Sequence, residues 1–456
     1  MDHAVSLRSA TARQAWLTGP TAFLCLVGVL VPNALSIGAL LAGIGMPPRS
    51  AMIAIYATLA IAARVLSPPL TVVLYVVAAI YDVIATLALL FNLAPSELGR
   101  TLHLLVELDL FMSPFYLALI GTTIAVVAAN ILLLTRKRAL LRQGNPLVLV
   151  GFAAAFGITD FVANTSPHYH YGSLYGAGKP VESAADASGF RRAALSGDGK
   201  VLLVMVEALG AFADPAKQAL LTRAFDRAEA TRRYRLTTGT TTYYGSTTAA
   251  EMRELCDSRE PYDALLAGKQ LTCLPALMAA RDYRTVALHN FTSQFFGRWQ
   301  WYPKLGFEKT IFGEDLAETF KSRALCGGPF RGPCDTDMVP LIKDELRTAG
   351  RPTFFYWLTL STHVPIKPRE GTPRLSCDRA GGPIGDVEVC YMTEMWIDLF
   401  EKLADMATEL APMEILVVGD HAPPLWSRAG RNVFEPGKVP WFRLTPTTAV
   451  AQESRG

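Results

Sequence analysis

The sequence has no concentration of charge of one sign. Its 43 lysines and arginines stand against 40 aspartates and glutamates, a net of +3, and no basic block of nucleic-acid type occurs in its second part. A nucleic-acid partner therefore has no electrostatic support. No Cys-x-x-Cys pair occurs among its seven cysteines, which removes the commonest spacing of a zinc cluster. No internal repeat or low-complexity tract stands out. At 456 residues the chain is too long for one ordinary domain, and a very apolar first third precedes a mixed remainder, so two modules are expected.

What the first 165 residues have in plenty is long apolar runs. Five candidates, at about 16–43, 50–66, 69–92, 112–135 and 145–163, compare with the roughly 20 residues needed to cross a bilayer. A cleaved signal peptide does not explain them, because the apolar character continues past one short segment. They predict an N-terminal bundle of five transmembrane helices over residues 1–165. Arg8 and Arg13 before the first span, and Arg136, Lys137, Arg138 and Arg142 after the fourth, place those segments on the cytoplasmic side. Glu97, Glu107 and Asp109 against a lone Arg100 suit an outside loop. Everything after residue 165 is then expected outside a multi-pass inner-membrane anchor, in the periplasm or beyond.

Cysteine placement tests that orientation independently. Cys25 falls in the first apolar run, and Cys256, Cys273, Cys326, Cys334, Cys377 and Cys390 all lie in the second part. An even set in an oxidising compartment suggests three disulfides. Neighbours in sequence pair most cheaply, 256 with 273, 326 with 334 and 377 with 390, although sequence alone does not prove the connectivity.

Residues 166–198, rich in Gly, Ser, Ala and Tyr, read as a juxtamembrane connector. In the outer module, residues 199–456, apolar runs of buried-strand type (200–207, 284–290, 353–363 and 414–420) alternate with helical stretches at 215–230 and 391–410. That alternation predicts an α/β domain with a mostly parallel sheet between helices. Ligands gather beyond the carboxyl ends of such strands, and these strands end in Glu207, in His289 with Asn290, in His363, and in Asp420 with His421. A carboxylate closing the first strand and an Asp-His pair closing the last form a mixed O/N set suited to one divalent ion, Zn²⁺ or Mn²⁺. Between them, TTGTTTYYGSTTAAEMREL (237–255) places hydroxyls at a helix N-terminus, where an anion such as phosphate is favoured.

VMVEALG, GSTTAAE, FFGRWQWY, STHVP and GDHAPP, in that order, resemble the landmarks of the alkaline phosphatase and sulfatase superfamily. More narrowly they resemble its membrane-anchored phosphoglycerol and phosphoethanolamine transferases, among them lipoteichoic acid synthase and the transferases that modify periplasmic glycans or lipid A. The resemblance implies an alkaline phosphatase-like fold for the outer module. It implies metal ligation by Glu207, Asp420 and His421, with Thr247 as both nucleophile and ligand and Thr248 as the alternative nucleophile. It also implies a substrate-phosphate contact from Arg298 and a substrate-side role for His363; from the residues themselves, Arg298 among Phe296, Trp299 and Trp301 also suits simple stacking. His289 matches no motif and reads as structural.

The function implied is transfer of a phosphoglycerol or phosphoethanolamine headgroup from a phospholipid to an extracytoplasmic glycan or glycolipid, through a covalent phospho-threonine. A metal-dependent phosphodiesterase or sulfatase-like hydrolase is the alternative. The Cys/Ser-x-Pro-x-Arg pattern of a formylglycine sulfatase is absent around residue 247, and no histidine follows His421, unlike the lipid A branch.

Overall fold

The computed structural model describes residues 19–91, 108, 110–166 and 180–447. Arg8, Arg13, the charged residues Glu97, Arg100, Glu107 and Asp109, and the front of the expected connector lie outside the described residues. The chain divides into two units, residues 1–90 with 114–169, and residues 91–113 with 170–456.

In the first unit, three helices are long and apolar enough to cross a membrane: Pro68–Leu90, Pro114–Arg136 and Pro146–Asn164. All three begin at proline, whose missing N–H goes unused in a first turn. Gly19–Leu30 and Ala34–Leu41 make a fourth if taken together, but they are bent by 71° at a break holding Pro32, which cannot continue the hydrogen-bond ladder. The expected second span is the short helix Ser50–Ala62, 13 residues long. At 1.5 Å per residue it covers about 20 Å, less than a hydrocarbon core of about 30 Å. Among the described residues the unit thus has three helices long and apolar enough to span, or four with the bent pair, where sequence reading expects five. Arg49 and Asp82 pair inside it, and Tyr56 donates to the same carboxylate, as buried charge in an apolar bundle requires.

Among the described residues the second unit has nine strands: β1 Lys200–Val206, β2 Tyr234–Thr242, β3 Arg284–His289, β4 Lys309–Ile311, β5 Leu325–Cys326, β6 Gly332–Pro333, β7 Thr353–Leu358, β8 Met413–Gly419 and β9 Lys438–Pro446. Seven form one sheet in the order β2-β9-β8-β1-β7-β3-β4, while β5 and β6 make a separate two-stranded ribbon. From β8 to β4 all pairings are parallel, as the apolar runs predict. The sheet's antiparallel edge, β9 and β2, was not foreseen, because the threonines of β2 read as part of the nucleophile stretch. Gly239 of β2 faces Trp441 so closely that a Cβ would lie 2.4 Å from the indole ring.

Two helices matter for the site, α1 Thr247–Cys256 and α2 Asp335–Thr348, and a third, α3 Val387–Glu409, packs in the core. The helix expected at 215–230 is two pieces, Pro215–Ala224 and Ala228–Arg233. Within the segment read as connector, Ala184, Ala185, Phe190 and Ala194 are buried in the outer unit's core. The three disulfides pair 256 with 273, 326 with 334 and 377 with 390, as neighbour pairing suggests.

Candidate metal centre

The site lies where two neighbouring parallel strands stop together. Val206 of β1 is in register with Gly419 of β8, so the next residues, Glu207 and Asp420, emerge side by side at one sheet edge. The turn after β1 is tight: Ala208 adopts φ 56°, a left-handed conformation that costs an alanine about 1–2 kcal/mol. Its N–H donates to Asp420 Oδ1 at 2.8 Å, as does the His421 N–H at 2.6 Å. Arg253 of α1 donates to the carbonyls of Gly419 and Asp420, fixing the end of β8.

The loop after β7 holds Glu207 from the other side. Thr359 Oγ1 accepts the Glu207 N–H at 2.9 Å, and Thr362 Oγ1 donates to the Glu207 carbonyl at 2.6 Å. β7 therefore ends at Leu358, short of the 363 expected, because residues 359–363 turn away to serve this purpose.

Glu207, Asp420 and His421 each offer a ligand atom, all within 4.8 Å of one another. His421 Nε2 is 3.3 Å from Asp420 Oδ2 and 3.7 Å from Glu207 Oε1. His421 Nδ1 lies 3.0 Å from the Ala422 carbonyl. A carbonyl only accepts, so in the neutral ring that nitrogen carries the proton and Nε2 keeps its lone pair. Thr247, the first residue of α1, brings Oγ1 to 3.3 Å from both Glu207 Oε2 and His421 Nε2. The neighbouring Thr248 hydroxyl instead lies 3.3 Å from that of Ser246.

Two oxygens in this group, Glu207 Oε1 and Asp420 Oδ2, are buried with no hydrogen-bond partner. An orphaned buried carboxylate oxygen costs several kcal/mol. Here two face a third ligand atom with a free lone pair, so the residues present fit a divalent cation of the Zn²⁺ or Mn²⁺ type. Burial and then the neighbouring Asp420 charge push the Glu207 carboxyl well above the ordinary range, the direction expected where a cation belongs.

Arg298 is fully inside. Its Nε and Nη2 donate to Glu251 Oε2 at 3.2 and 3.0 Å, and Nη1 donates to the Phe295 carbonyl at 3.2 Å. The guanidinium also lies over the Phe296 ring at 5.5 Å. Tyr302 and Tyr356 hydroxyls both donate to Glu251 Oε1. From that position the Arg298 charge still acts on Glu207, lowering its pKa against the burial that raises it. His363 Nε2 is 4.0 Å from Glu207 Oε1, its Nδ1 lies 2.9 Å from the Val364 carbonyl, and Phe330 packs on its ring at 3.5 Å. Burial pushes its pKa down to about 3, so the ring is neutral with Nε2 as an acceptor. His289 is buried against the Leu358 carbonyl and also held neutral, by burial and then by the Arg298 charge.

Sequence reading missed Glu251, Arg253, Thr359, Thr362, Tyr302 and Tyr356. Thr362 sits inside a motif that pointed only to its histidine, and Thr359 lies just before that motif. EMRE on a helix resembles a solvated face, yet Glu251, Arg253 and Glu254 are all essentially unexposed.

Residues 200–382 match the sulfatase family model, a span that includes Glu207, Thr247, Arg298 and His363 and stops before Asp420. No curated protein matches the chain. Among solved structures it is similar to the lipoteichoic acid synthase LtaP of Listeria monocytogenes, with 15% identity and TM-score 0.42 over 55% of this chain and 66% of that one. It is also similar to the phosphoglycerol transferase GacH of Streptococcus pyogenes, with 16% identity and TM-score 0.38 over 59% and 77%. A third is the periplasmic domain of EptC from Escherichia coli in complex with Zn, with 14% identity and TM-score 0.37 over 57% and 76%. The chain thus spans just under two-thirds of the Listeria protein. The outer unit is an α/β domain with a mostly parallel sheet, and its residues 200–382 are similar to the sulfatase family.

Proposed function

We propose that the protein transfers a phosphoglycerol or phosphoethanolamine headgroup from a phospholipid to an extracytoplasmic glycan or glycolipid, with Thr247 as the covalent carrier. The observation that carries this reading is the convergence of Thr247 Oγ1 with two orphaned carboxylate oxygens and an imidazole lone pair. That arrangement suits activation of a hydroxyl toward phosphorus.

A divalent ion held by Glu207, Asp420 and His421 would supply positive charge against the threonine oxygen and the developing phosphoryl charge. Thr247 Oγ1 attacks phosphorus, its proton leaving along the contact to Glu207 Oε2. The phosphorus–oxygen bond to diacylglycerol breaks, and the proton taken from Thr247 passes to the departing oxygen, so that diacylglycerol leaves as the alcohol. The acceptor hydroxyl then attacks the same phosphorus, the phosphorus–oxygen bond to Thr247 breaks, and the acceptor's proton returns to Thr247 Oγ1. The N-terminus of α1 favours the phosphate anion. His363 presents Nε2 as an acceptor to the entering hydroxyl. Arg298, whose guanidinium nitrogens already meet Glu251 and the Phe295 carbonyl, would act on the substrate phosphate through its charge.

The organisation this requires is a membrane part to about residue 165, a connector over 166–198 and a catalytic domain over 199–456. With the N-terminus on the cytoplasmic side, the number of spanning segments that places the disulfide-bearing unit outside the cytoplasm is odd, which the three long apolar helices satisfy. Three disulfides support an oxidising compartment such as the periplasm. A membrane anchor suits a donor whose acyl chains leave the bilayer at about 0.8 kcal/mol per CH₂.

The test is peptide mass mapping of the full-length protein in detergent after incubation with phosphatidylglycerol or with phosphatidylethanolamine. A headgroup-phosphate increment on Thr247 is expected with one of the two lipids and identifies the donor. An unmodified Thr247 with both, or the increment on Thr248, overturns the assignment.

A further inference from the structure

Glu207 is held by the loop 359–363, and that loop is itself held by a residue outside all the motifs. Asp335, the first residue of α2, is buried. Its Oδ1 accepts the Leu360 N–H at 2.9 Å and Asn290 Nδ2 at 2.9 Å, and its Oδ2 accepts the Ser361 N–H at 2.8 Å. The Ser361 hydroxyl accepts the Asp335 N–H in return, at 2.9 Å. One carboxylate thus ties the starts of two strand-end loops, after β3 and after β7, to the head of a helix.

Burying a carboxylate costs free energy unless its lone pairs are met by well-placed donors, and this one meets three. What the expense secures is the path of residues 359–363, which contact Glu207 at its N–H, its carbonyl and its carboxylate side through Thr359, Thr362 and His363. The ribbon just before Asp335 reinforces the same place. It is closed by the Cys326–Cys334 disulfide, its Gly332 sits where a Cβ would be 2.1 Å from the Asn290 carbonyl oxygen, and its Phe330 packs on His363.

We propose that Asp335 is a positioning residue that, through the loop 359–363, sets the orientation of Glu207 toward the metal and the position of His363. This rests on reading Glu207, Asp420 and His421 as a metal group. Partners that orient metal ligands typically contribute about 10–100-fold to metal affinity.

The test compares wild type with Asp335→Asn and with Leu346→Ala, which removes a buried side chain from the same helix away from the loop. Two readouts are taken on the full-length protein: hydrogen exchange of peptides covering 359–363 without metal, and affinity for Mn²⁺ by titration. Asp335→Asn is expected to speed exchange at Leu360 and Ser361 by more than about tenfold and to weaken Mn²⁺ by about 10–100-fold. Leu346→Ala is expected to lower Tm and leave both readouts at the wild-type value. Wild-type exchange or wild-type affinity in Asp335→Asn overturns the proposal, as does an equal loss in Leu346→Ala. Should Asp335→Asn not fold, Ser361→Ala removes the return bond and is expected to shift both readouts about threefold in the same direction; no shift overturns the proposal. A wild type that takes up no Mn²⁺ overturns the proposed function instead, and the exchange result alone then decides the clamp.

Discussion

Two buried clusters of charge meet α1 one helical turn apart, at Thr247 and at Glu251, and they differ in what each has left over. Around Glu251 everything is taken: Arg298 holds one oxygen, and the hydroxyls of Tyr302 and Tyr356 share the other. Around Glu207 and Asp420, at similar burial, one oxygen of each carboxylate has no partner. Saturated charge inside a protein behaves as scaffold, while unsaturated charge that converges on a lone pair is a place for something to bind. Burial alone does not separate the two.

The largest effect should come from the unsaturated side. Thr247→Ala is expected to lower release of diacylglycerol from labelled lipid by at least about 10³-fold, because a nucleophile acts as part of a unit, with little change in Tm. Equal activity in that variant would break the comparison at its root. On the saturated side, Glu251→Gln leaves the Arg298 guanidinium buried without its carboxylate and should cost about 3–5 kcal/mol in urea unfolding, while the folded fraction still binds metal. Loss of metal with no loss of stability would mean the two clusters have been assigned the wrong way round.

A smaller effect measures the leftover oxygens directly. At 100 times its Kd, Mn²⁺ or Zn²⁺ should stabilise the wild type by about 2.7 kcal/mol and should not stabilise Asp420→Asn.

The smallest test concerns an acid outside both clusters. Burial pushes Glu388 of α3 up to about 7. A folded-state pKa above the unfolded one means the folded chain binds more protons between the two values. The stability Glu388 contributes is therefore fully present below about 4.5 and lost as pH rises through about 7. Glu388→Gln should gain about 1–2 kcal/mol over wild type at pH 8 relative to pH 5; a pH-independent difference would count against it.

The unsaturated cluster was largely readable in advance, and the saturated one was not. Glu207 and Asp420 each close a continuous apolar run, so the strand and its polar end are local features, and a parallel sheet brings such ends to one edge. That β1 and β8 are neighbours in the sheet is a long-range fact no window of sequence contains. The Glu251–Arg298 pair joins residues 47 apart, and EMRE carries the same letters whether a helix face meets water or a packed core. Helix length was misread for a related reason: apolar runs near residues 30 and 60 do not announce that Pro32 bends one and that the other stays helical for only 13 residues. The disulfides were accessible because short loops make neighbour pairing cheap.

The central claim is that one divalent cation is held by Glu207, Asp420 and His421 beside Thr247. Elemental analysis of the full-length protein purified in Mn²⁺ or Zn²⁺ and desalted should find about one ion per chain, and none in the folded double variant Glu207→Gln with Asp420→Asn. A metal-free wild type, or a double variant that keeps its ion, would contradict the account.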